Sequence, residues 1–390
     1  MERKFKRIIL VVLDGAGIGE MPDAARWGDA GSDTLGHVLD LERPQIPHLA
    51  GLGLGCIRPF PTLPAPGHAR GSFGRAAILS NGKDTTVGHW EMAGILSLVP
   101  FPTYPDGFPA RIMEPFEAAI GRKTLGNKAA SGTEIIKELG DEHVRTGRPI
   151  VYTSADSVFQ VAAHEDVIPL TELYRICEIA RKQLDGADRV ARVIARPFLG
   201  SAGAYRRTGN RRDFAVPPPG DTLLDLLKRS GLAVIGVGKI ASIFDGMGIT
   251  EDLPAHTNEE TMDGVIAALE RPAPGLIFAN FCDFDMLWGH RNDPAGFARG
   301  LEAFDRRLPE LFAALQDDDC LIITADHGCD PAMPSTDHSR EYVPILVYNR
   351  RLAGGVNLGT RASLADAGQT IAENFGLRLA AGTSFLTDLC

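Results

Sequence analysis

The sequence contains few cysteines, and none of them belongs to a paired motif. Six cysteines are scattered over 390 residues without a CxxC pair. This spacing offers neither a disulfide framework nor a thiolate set that would dictate zinc. It predicts reduced thiols in a cytoplasmic protein.

The chain also lacks an excess of positive charge and any apolar run of transmembrane length. Its 40 Lys and Arg are outnumbered by 50 Asp and Glu, which gives a net charge of −10 and a pI near 5.5. This balance argues against a nucleic-acid partner. The apolar run at residues 8–13 is too short for a signal peptide and predicts a first core strand. We expect no membrane segment, and no obligate protein partner is evident.

Length and alternation of elements predict a two-domain α/β protein. A chain of 390 residues exceeds the usual size of one simple core. Helices and strands alternate after the stiff segment Pro217-Pro218-Pro219-Gly220, which favours a mostly parallel sheet flanked by helices. We predict strands at 8–13, 149–153, 189–195, 233–237, 276–281, 321–324 and 345–348, and helices at 114–120, 132–139, 170–184, 222–229, 259–269, 295–315 and 363–374. Residues 100–219 are predicted to form an inserted smaller α/β cap, with residues 1–99 and 220–390 forming the core.

Three of the predicted strands end in carboxylates, and two of these add histidines. The residues are Asp14 after the first strand, Asp285 and His290 after the strand at 276–281, and Asp326, His327 and His338 after the strand at 321–324. Ligands gather at the carboxyl ends of strands in open α/β sheets. Mixed oxygen and nitrogen donors suit Mn²⁺, Zn²⁺ or Mg²⁺. We therefore predict a two-metal site, although Asp14 alone could cap a turn and a single histidine could be structural.

Two adjacent threonines are candidates for a nucleophile at this site. A threonine hydroxyl reacts only when a metal ion or a base lowers its pKa. Thr85 or Thr86, in the segment Asp84-Thr85-Thr86-Val87, could attack phosphorus there. The alternative is that both threonines cap a helix that starts near Gly88.

Cations suited to a phosphate group are concentrated in the middle of the chain. Arg192 and Arg207 lie in the predicted cap, and Lys239 follows the predicted strand at 233–237. Arginine grips phosphate oxygens in a bidentate fork, whereas lysine acts as a point charge. Exposed arginines are usually only solvated, so these residues are weak evidence by themselves. The polar loop from Ser154 to Ser157 could contact sugar hydroxyls.

The same residues resemble the alkaline phosphatase superfamily and, within it, the phosphopentomutase family. The resemblance runs over nearly the whole chain. It is carried by GIGE at 17–20, GSDTLGH at 31–37, GHWE at 88–91, YTSADSV at 152–158, RVIARPF at 192–198 and TDH at 336–338. The metal motifs are shared across the superfamily, whereas the cap strings are specific to the family. The resemblance implies an alkaline-phosphatase-like core and the interconversion of (deoxy)ribose 1-phosphate and 5-phosphate.

The resemblance also implies a role for each site residue. Asp14, Asp326 and His327 would hold one Mn²⁺, and Asp285, His290 and His338 would hold the other. Thr85 would be the phosphothreonine, with a sugar bisphosphate such as glucose 1,6-bisphosphate as activator. Ser154, Asp156, Arg192, Arg207 and Lys239 would line the substrate site.

Two positions depart from the family pattern. Thr86-Val87 stands where a methionine and a threonine are usual, so Thr86 becomes a rival nucleophile. Cys329 stands where an asparagine is usual, and its thiol could be prone to oxidation or could perturb the metal ligands. Other possibilities are a phosphomonoesterase, a phosphoglycerate-mutase-like enzyme of the same superfamily, or an inactive sugar-phosphate-binding protein.

Overall fold

The computed structural model describes residues 4–154 and 157–389 and has the predicted α/β fold. The strands are β1 Arg7–Leu13, β2 Ser72–Ala76, β3 Leu125–Ala129, β4 Ile150–Thr153, β5 Val158–His164, β6 Arg192–Leu199, β7 Arg206–Arg207, β8 Arg212–Ala215, β9 Ala233–Val237, β10 Glu251–Leu253, β11 Gly275–Phe281, β12 Asp319–Thr324, β13 Val343–Tyr348 and β14 Asn357–Arg361. The helices are α1 Ala24–Trp27, α2 Thr34–Glu42, α3 Pro47–Leu52, α4 Leu54–Ile57, α5 Thr85–Met92, α6 Ala110–Ile120, α7 Gly132–Thr146, α8 Leu170–Gln183, α9 Leu223–Arg229, α10 Ile240–Ile243, α11 Asn258–Leu269, α12 Pro294–Ala314 and α13 Ala365–Asn374. No helix among these residues combines the length and the apolarity needed to cross a membrane.

The chain divides into two compact units. One consists of Met1–Val99 and Pro218–Cys390, and the other of Pro100–Pro217. The observed second boundary lies at 217/218, whereas the sequence suggests 219/220. Both positions fall in the proline-rich segment Pro217–Gly220, whose residues are exposed or partly exposed.

The first unit is built on an eight-stranded sheet in the order β10-β9-β11-β1-β12-β13-β2-β14. Its centre is parallel, because β1 pairs with both β11 and β12 in the same direction. Only β13 runs against its neighbours β12 and β2. Every residue of β1, β11 and β12 is buried, as expected of parallel strands covered on both faces. This topology brings the ends of β1, β11 and β12 to one edge of the sheet.

The second unit has its own sheet and its own apolar core. The sheet order is β3-β4-β5-β6-β7, and β8 pairs with β6. One apolar cluster includes Phe116, Phe159 and Ile176, and a smaller one includes Ile135 and Phe198. The amphipathic helices α6, α7 and α8 supply the apolar residues that cover the sheet.

Several predicted elements are misplaced. The strand expected at 189–195 begins at Arg192 and continues to Leu199, because a 3₁₀ turn at Gly186–Asp188 precedes it. The helix expected near Gly88 begins at Thr85, where the Asp84 side chain accepts a hydrogen bond from Val87 N at 3.1 Å. Seven strands were not predicted from the sequence, namely β2, β3, β5, β7, β8, β10 and β14.

Candidate metal centre

All six predicted metal ligands lie at the carboxyl edge of the first sheet. Asp14 directly follows β1, and Asp326 with His327 follows β12. Asp285 and His290 lie in the short helical segment after β11. His338 returns to the same edge between β12 and β13. The parallel pairing of β1 with β11 and β12 therefore assembles residues that are more than 300 positions apart in sequence.

The first group of donors consists of Asp14, Asp326 and His327, whose candidate ligand atoms all lie within 4.8 Å of one another. His327 Nε2 lies 3.3 Å from Asp14 Oδ1 and 3.5 Å from Asp326 Oδ2. All three side chains are buried. This is a compact donor set of two carboxylates and one imidazole.

The second group surrounds Asp285. Its Oδ2 lies 3.3 Å from His290 Nε2, and its Oδ1 lies 3.3 Å from His338 Nε2. The rings of His327 and His338 are 4.3 Å apart, so the two groups adjoin. A buried carboxylate facing two imidazoles is again a donor set for a divalent ion.

Two carboxylate oxygens of these groups are left without a hydrogen bond. Asp285 Oδ1 and Asp326 Oδ2 are buried and have no donor in bonding geometry. A buried carboxylate oxygen without a donor carries a large desolvation cost, which a bound cation removes. The residues present therefore fit divalent metal ions.

The electrostatics of the cluster also favour positive charge. Burial opposes ionisation of Asp285, but His338 and His290 hold its pKa well below the usual range. Burial likewise opposes the charge on Asp326, and His327 and His89 lower its pKa. Asp326 and Asp14 raise the pKa of His327 well above its usual value despite burial. The carboxylates thus favour a positive charge beside them, and a bound metal ion would provide one.

Thr85 is the threonine whose hydroxyl faces this centre. Its Oγ1 donates to Asp14 Oδ1 at 3.3 Å and lies 3.2 Å from His327 Nε2. Thr86 is buried, at 7% exposure, and Val87 packs close to Gly82. Thr85 is also the first residue of α5, so backbone N–H groups of the helix start beside its side chain.

Two positioning residues were missed by the sequence reasoning. Asn280 Nδ2 donates to Asp14 Oδ2 at 2.9 Å and lies 3.3 Å from His89 Nε2. His89 Nδ1 in turn lies 2.9 Å from Thr85 O and 3.0 Å from Asp326 Oδ2. The hydrogen bond from Asn280 orients Asp14, whereas the His89 ring lies beside Asp326 Oδ2 without hydrogen-bond geometry. The available signal for Asn280 was its amide in the otherwise apolar β11.

Cys329 lies beside this centre but is not an exposed thiol. Its Sγ is 3.9 Å from His290 Nδ1, and the residue is 1% exposed. Burial, with the neighbouring Asp285, raises the pKa of the thiol well above its usual value. The protonated, inaccessible form is poorly reactive, so the suggestion of an oxidation-prone thiol is not supported.

The predicted substrate residues fall in both units. Lys239 follows β9 at the carboxyl edge of the first sheet, and its Nζ lies 3.9 Å from Met286 Sδ. In the second unit, Ser154 follows β4, Arg192 begins β6 and Arg207 is exposed on β7. Asp156 lies outside the described residues.

A further arginine strengthens the positive charge of the second unit. Arg196 on β6 hydrogen-bonds Gln160 Oε1 at 2.9 Å. Burial, together with the nearby Arg211, lowers the pKa of Arg196 to about 10. Tyr152 is close enough to Arg196, Arg207 and Arg211 for their charges to affect it. Asp213 offsets part of this charge, since its Oδ2 lies 2.6 Å from Arg211 Nη2 and 3.8 Å from Arg192 Nη1. The excess of guanidinium groups over carboxylates favours an anionic partner.

Comparison with known proteins gives a consistent result. Residues 6–379 match the metalloenzyme superfamily. The phosphopentomutase of Caldanaerobacter subterraneus is 56% identical over 385 residues, covering 98% of both chains. That of Desulfitobacterium hafniense is 54% identical over 386 residues, covering 98% of this chain and all of the relative. A solved structure from Pyrococcus horikoshii shares the fold, with a TM-score of 0.50, 16% identity and coverage of 96% and 98%.

Proposed function

The chain belongs to the phosphopentomutase family of the metalloenzyme superfamily, and from this premise we propose that it interconverts (deoxy)ribose 1-phosphate and (deoxy)ribose 5-phosphate. It is an isomerase. The observation that carries the proposal is the position of the Thr85 hydroxyl. It lies beside Asp14 and His327, within a group of side chains that could bind metal ions. Small pentose phosphates are the proposed partners, with no nucleic acid, membrane or obligate protein partner.

We propose that Asp14, Asp326 and His327 hold one divalent ion and that Asp285, His290 and His338 hold the other, with Mn²⁺ as the metal. When bound, such ions neutralise phosphoryl oxygens and lower the pKa of a neighbouring hydroxyl. Asn280 Nδ2 keeps Asp14 oriented, Gly15 N donates to Asp326 Oδ1 at 3.1 Å and keeps Asp326 oriented, and the His89 ring lies beside Asp326. The chain thus presents a fixed set of negative oxygens around Thr85.

The proposed reaction alternates between phosphorylated Thr85 and a sugar bisphosphate. The bond between phosphorus and Thr85 Oγ1 breaks as phosphorus bonds the free hydroxyl oxygen of the pentose phosphate, and the proton of that hydroxyl passes to Thr85 Oγ1. Thr85 Oγ1 then attacks the other phosphorus of the bisphosphate, the bond from that phosphorus to the sugar oxygen breaks, and the proton of Thr85 passes to the sugar oxygen. This step restores the phosphoenzyme and releases the isomer. A sugar bisphosphate such as glucose 1,6-bisphosphate would phosphorylate an unmodified Thr85.

The phosphate that is not transferred needs cations away from Thr85. We propose that Arg192, Arg207 and Lys239 supply them and that Ser154 and Asp156 contact the sugar. The support is the concentration of guanidinium groups in the second unit, in a chain of net charge −10. The described cysteines are free thiols, which suits the reducing cytoplasm in which we propose that the enzyme works.

A matched pair of variants tests the nucleophile. Thr85→Val and Thr86→Val remove one hydroxyl each with little change in volume. With Mn²⁺ and glucose 1,6-bisphosphate, we expect conversion of ribose 1-phosphate to be lost in Thr85→Val and retained in Thr86→Val. Peptide mass spectrometry should place the phosphate on Thr85. Phosphate on Thr86 would refute the assignment, and release of free phosphate by the wild type would instead indicate a phosphomonoesterase.

Metal analysis provides a test that does not depend on turnover. We expect Asp326→Asn to bind fewer Mn²⁺ ions per chain than the wild type, because one donor oxygen and one charge are lost. Asp317→Asn is the matched control, since Asp317 pairs with Arg351 at the surface. Equal metal content in both variants, with unchanged circular dichroism, would show that Asp326 is not a ligand.

The adjacent arginines of β7 test the substrate contacts. Neighbouring residues of a strand point to opposite faces, so Arg206→Ala is a matched control for Arg207→Ala. Loss of a charge-assisted hydrogen bond costs about 1.5–3 kcal/mol, so we expect Arg207→Ala alone to lower kcat/KM by roughly 10- to 150-fold. The same catalytic efficiency in both variants would remove Arg207 from the substrate site.

A further inference from the structure

Lys83 is a cation of the first unit to which the proposed chemistry assigns no role. It lies two positions before Thr85, in the segment that leads into α5. Its Nζ lies 3.0 and 3.1 Å from the two carboxylate oxygens of Asp29 and 3.1 Å from Asp337 Oδ2. The side chains of Lys83 and Asp29 are 13% and 7% exposed, so their contact is largely shielded from water. One ammonium group thus joins carboxylates from two separate parts of the chain.

Asp337 connects this ammonium group to a predicted metal ligand. Its Oδ1 accepts a hydrogen bond from His338 N at 2.8 Å, while its Oδ2 lies beside Lys83 Nζ. His338 Nε2 lies 3.3 Å from Asp285 Oδ1 in the second group of donors. The two oxygens of Asp337 therefore contact the backbone of a ligand on one side and the lysine of the nucleophile segment on the other.

A second cation makes the reciprocal connection between the same two segments. Arg340 lies two positions after His338 and is 4% exposed. Its Nη1 donates to Ser80 O at 2.8 Å and to Gly82 O at 2.7 Å. The segment that carries His338 thus binds the backbone just before Lys83. Lys83 adds a side-chain link between the two segments.

We propose that Lys83 is a positioning residue that, through Asp337, holds Thr85 and His338 at the separation that phosphoryl transfer needs. This inference rests on the proposed function. The ammonium group has three oxygens within 3.1 Å, as many as it has N–H donors. This arrangement favours a positioning role over direct contact with the substrate. A displacement of either segment would change the distance between the Thr85 hydroxyl and the second group of donors.

Mn²⁺ binding separates positioning from a simple effect of charge. Lys83→Met removes the positive charge at similar length, and Asp337→Asn removes the negative charge while its amide oxygen can still accept from His338 N. Electrostatics alone would make Lys83→Met bind Mn²⁺ more tightly and Asp337→Asn more weakly. Positioning predicts weaker binding in both variants, by roughly tenfold to a hundredfold. Calorimetric titration with Mn²⁺ measures this, and effects of opposite sign would overturn the proposal.

The double variant shows whether the two residues act through one link. We expect Lys83→Met/Asp337→Asn to bind Mn²⁺ about as weakly as Lys83→Met, because both changes break the same contact. Losses that multiply would show that the residues act independently and would contradict the proposal. Lys123→Met is the matched control and should bind like the wild type, since Lys123 pairs with Glu117 at the surface of the second unit.

Turnover separates positioning from stability and from substrate binding. With saturating Mn²⁺ and glucose 1,6-bisphosphate, we expect Lys83→Met to lower kcat for ribose 1-phosphate by roughly tenfold to a hundredfold with little change in KM. A raised KM at wild-type kcat would make Lys83 a substrate contact. A lower midpoint of thermal unfolding with wild-type kcat and Mn²⁺ affinity would make the pair merely structural. Either result would overturn the proposal.

Hydrogen exchange of the metal-free protein tests the link without metal or turnover. We expect Asp337→Asn to speed amide exchange in a peptide of residues 80–87, which is remote from position 337 in sequence. Exchange in a peptide of β6, in the second unit, should match the wild type. Wild-type exchange in residues 80–87 would refute the link. If the wild type does not convert ribose 1-phosphate, the proposed function fails, whereas Mn²⁺ binding and hydrogen exchange still decide whether Lys83 joins the two segments.

Discussion

Gly88 is a residue at which the packing of the metal centre leaves no room for a side chain. A Cβ at this position would lie 2.4 Å from Asp326 O and 2.7 Å from Asp326 Cβ. The backbone of α5 therefore touches the loop that carries two predicted ligands, and the same helix presents Thr85.

We expect Gly88→Ala to displace Asp326, to weaken Mn²⁺ binding and to destabilise the protein by about 1–3 kcal/mol, the usual cost of overpacking. Gly67→Ala is the control, because Gly67 is exposed and has open space around it. Metal titration and thermal unfolding of both variants measure the effect. Wild-type metal affinity in Gly88→Ala would show that the loop adjusts freely.

His143 makes the stability of the second unit depend on pH. Its Nδ1 donates to Arg148 O at 2.6 Å, and its Nε2 accepts from His164 N at 2.8 Å. Protonation of Nε2 would break the second bond, and burial lowers the pKa of His143 below 6.5. The unfolded chain thus takes up the proton first, so the stabilisation is present above pH 6.5 and is lost as pH falls below it.

We expect the free energy of unfolding to fall by up to about 1.4 kcal/mol per pH unit below pH 6.5 because of this residue. His143→Leu should be less stable at pH 7.5 but should lose less stability between pH 7.5 and 5. Denaturant unfolding of both proteins over this range measures the difference. Parallel pH profiles would contradict the assignment.

At the scale of elements, a buried ion pair fixes the start of two central strands. Arg7 of β1 is the register partner of Asp319 of β12, with Nε to Oδ1 at 2.7 Å and Nη2 to Oδ2 at 2.6 Å. Arg7 Nη1 also donates to Leu269 O and Arg271 O at the end of α11. One guanidinium thus joins two strands and a helix.

Removing this guanidinium leaves Asp319 buried and unpaired. We expect Arg7→Met to lower the free energy of unfolding by about 3–5 kcal/mol. Arg7→Lys should recover only part of this, because an ammonium cannot make the bidentate contact. The exposed pair Arg351–Asp317 provides a control, and Arg351→Met should cost less than about 1 kcal/mol. If denaturant unfolding shows the same loss of free energy in Arg7→Met and Arg351→Met, the Arg7–Asp319 pair does not stabilise β1 and β12.

At the scale of the whole molecule, the second unit has what an independent domain needs. Residues 100–217 contain their own sheet and two apolar clusters. We expect a chain of residues 100–217 to fold alone and to unfold cooperatively on heating. Circular dichroism of this fragment provides the measurement. A transition without cooperativity would show that the unit depends on the rest of the chain.

The sequence by itself determined the features of the fold and of the site that depend on the local pattern of apolar and polar residues. Buried strands such as β1 and β11 read as short apolar runs, because parallel strands covered on both faces need apolar side chains at every position. The carboxylates and histidines that follow these runs could therefore be placed at strand ends and associated with metal binding. The helix α8 was visible from its apolar spacing alone.

Only the tertiary structure decided the features that depend on contacts between residues far apart in the sequence. The antiparallel direction of β13, and the short strands β2 and β14 at the edge, follow from pairing that no local pattern records. Thr85 rather than Thr86 faces the cluster because Asp84 caps α5 and fixes its first turn. Asn280, His89 and Arg196 each contact a residue more than 30 positions away, namely Asp14, Asp326 and Gln160, and no local pattern records such contacts because they depend on distance in space and not on distance in sequence.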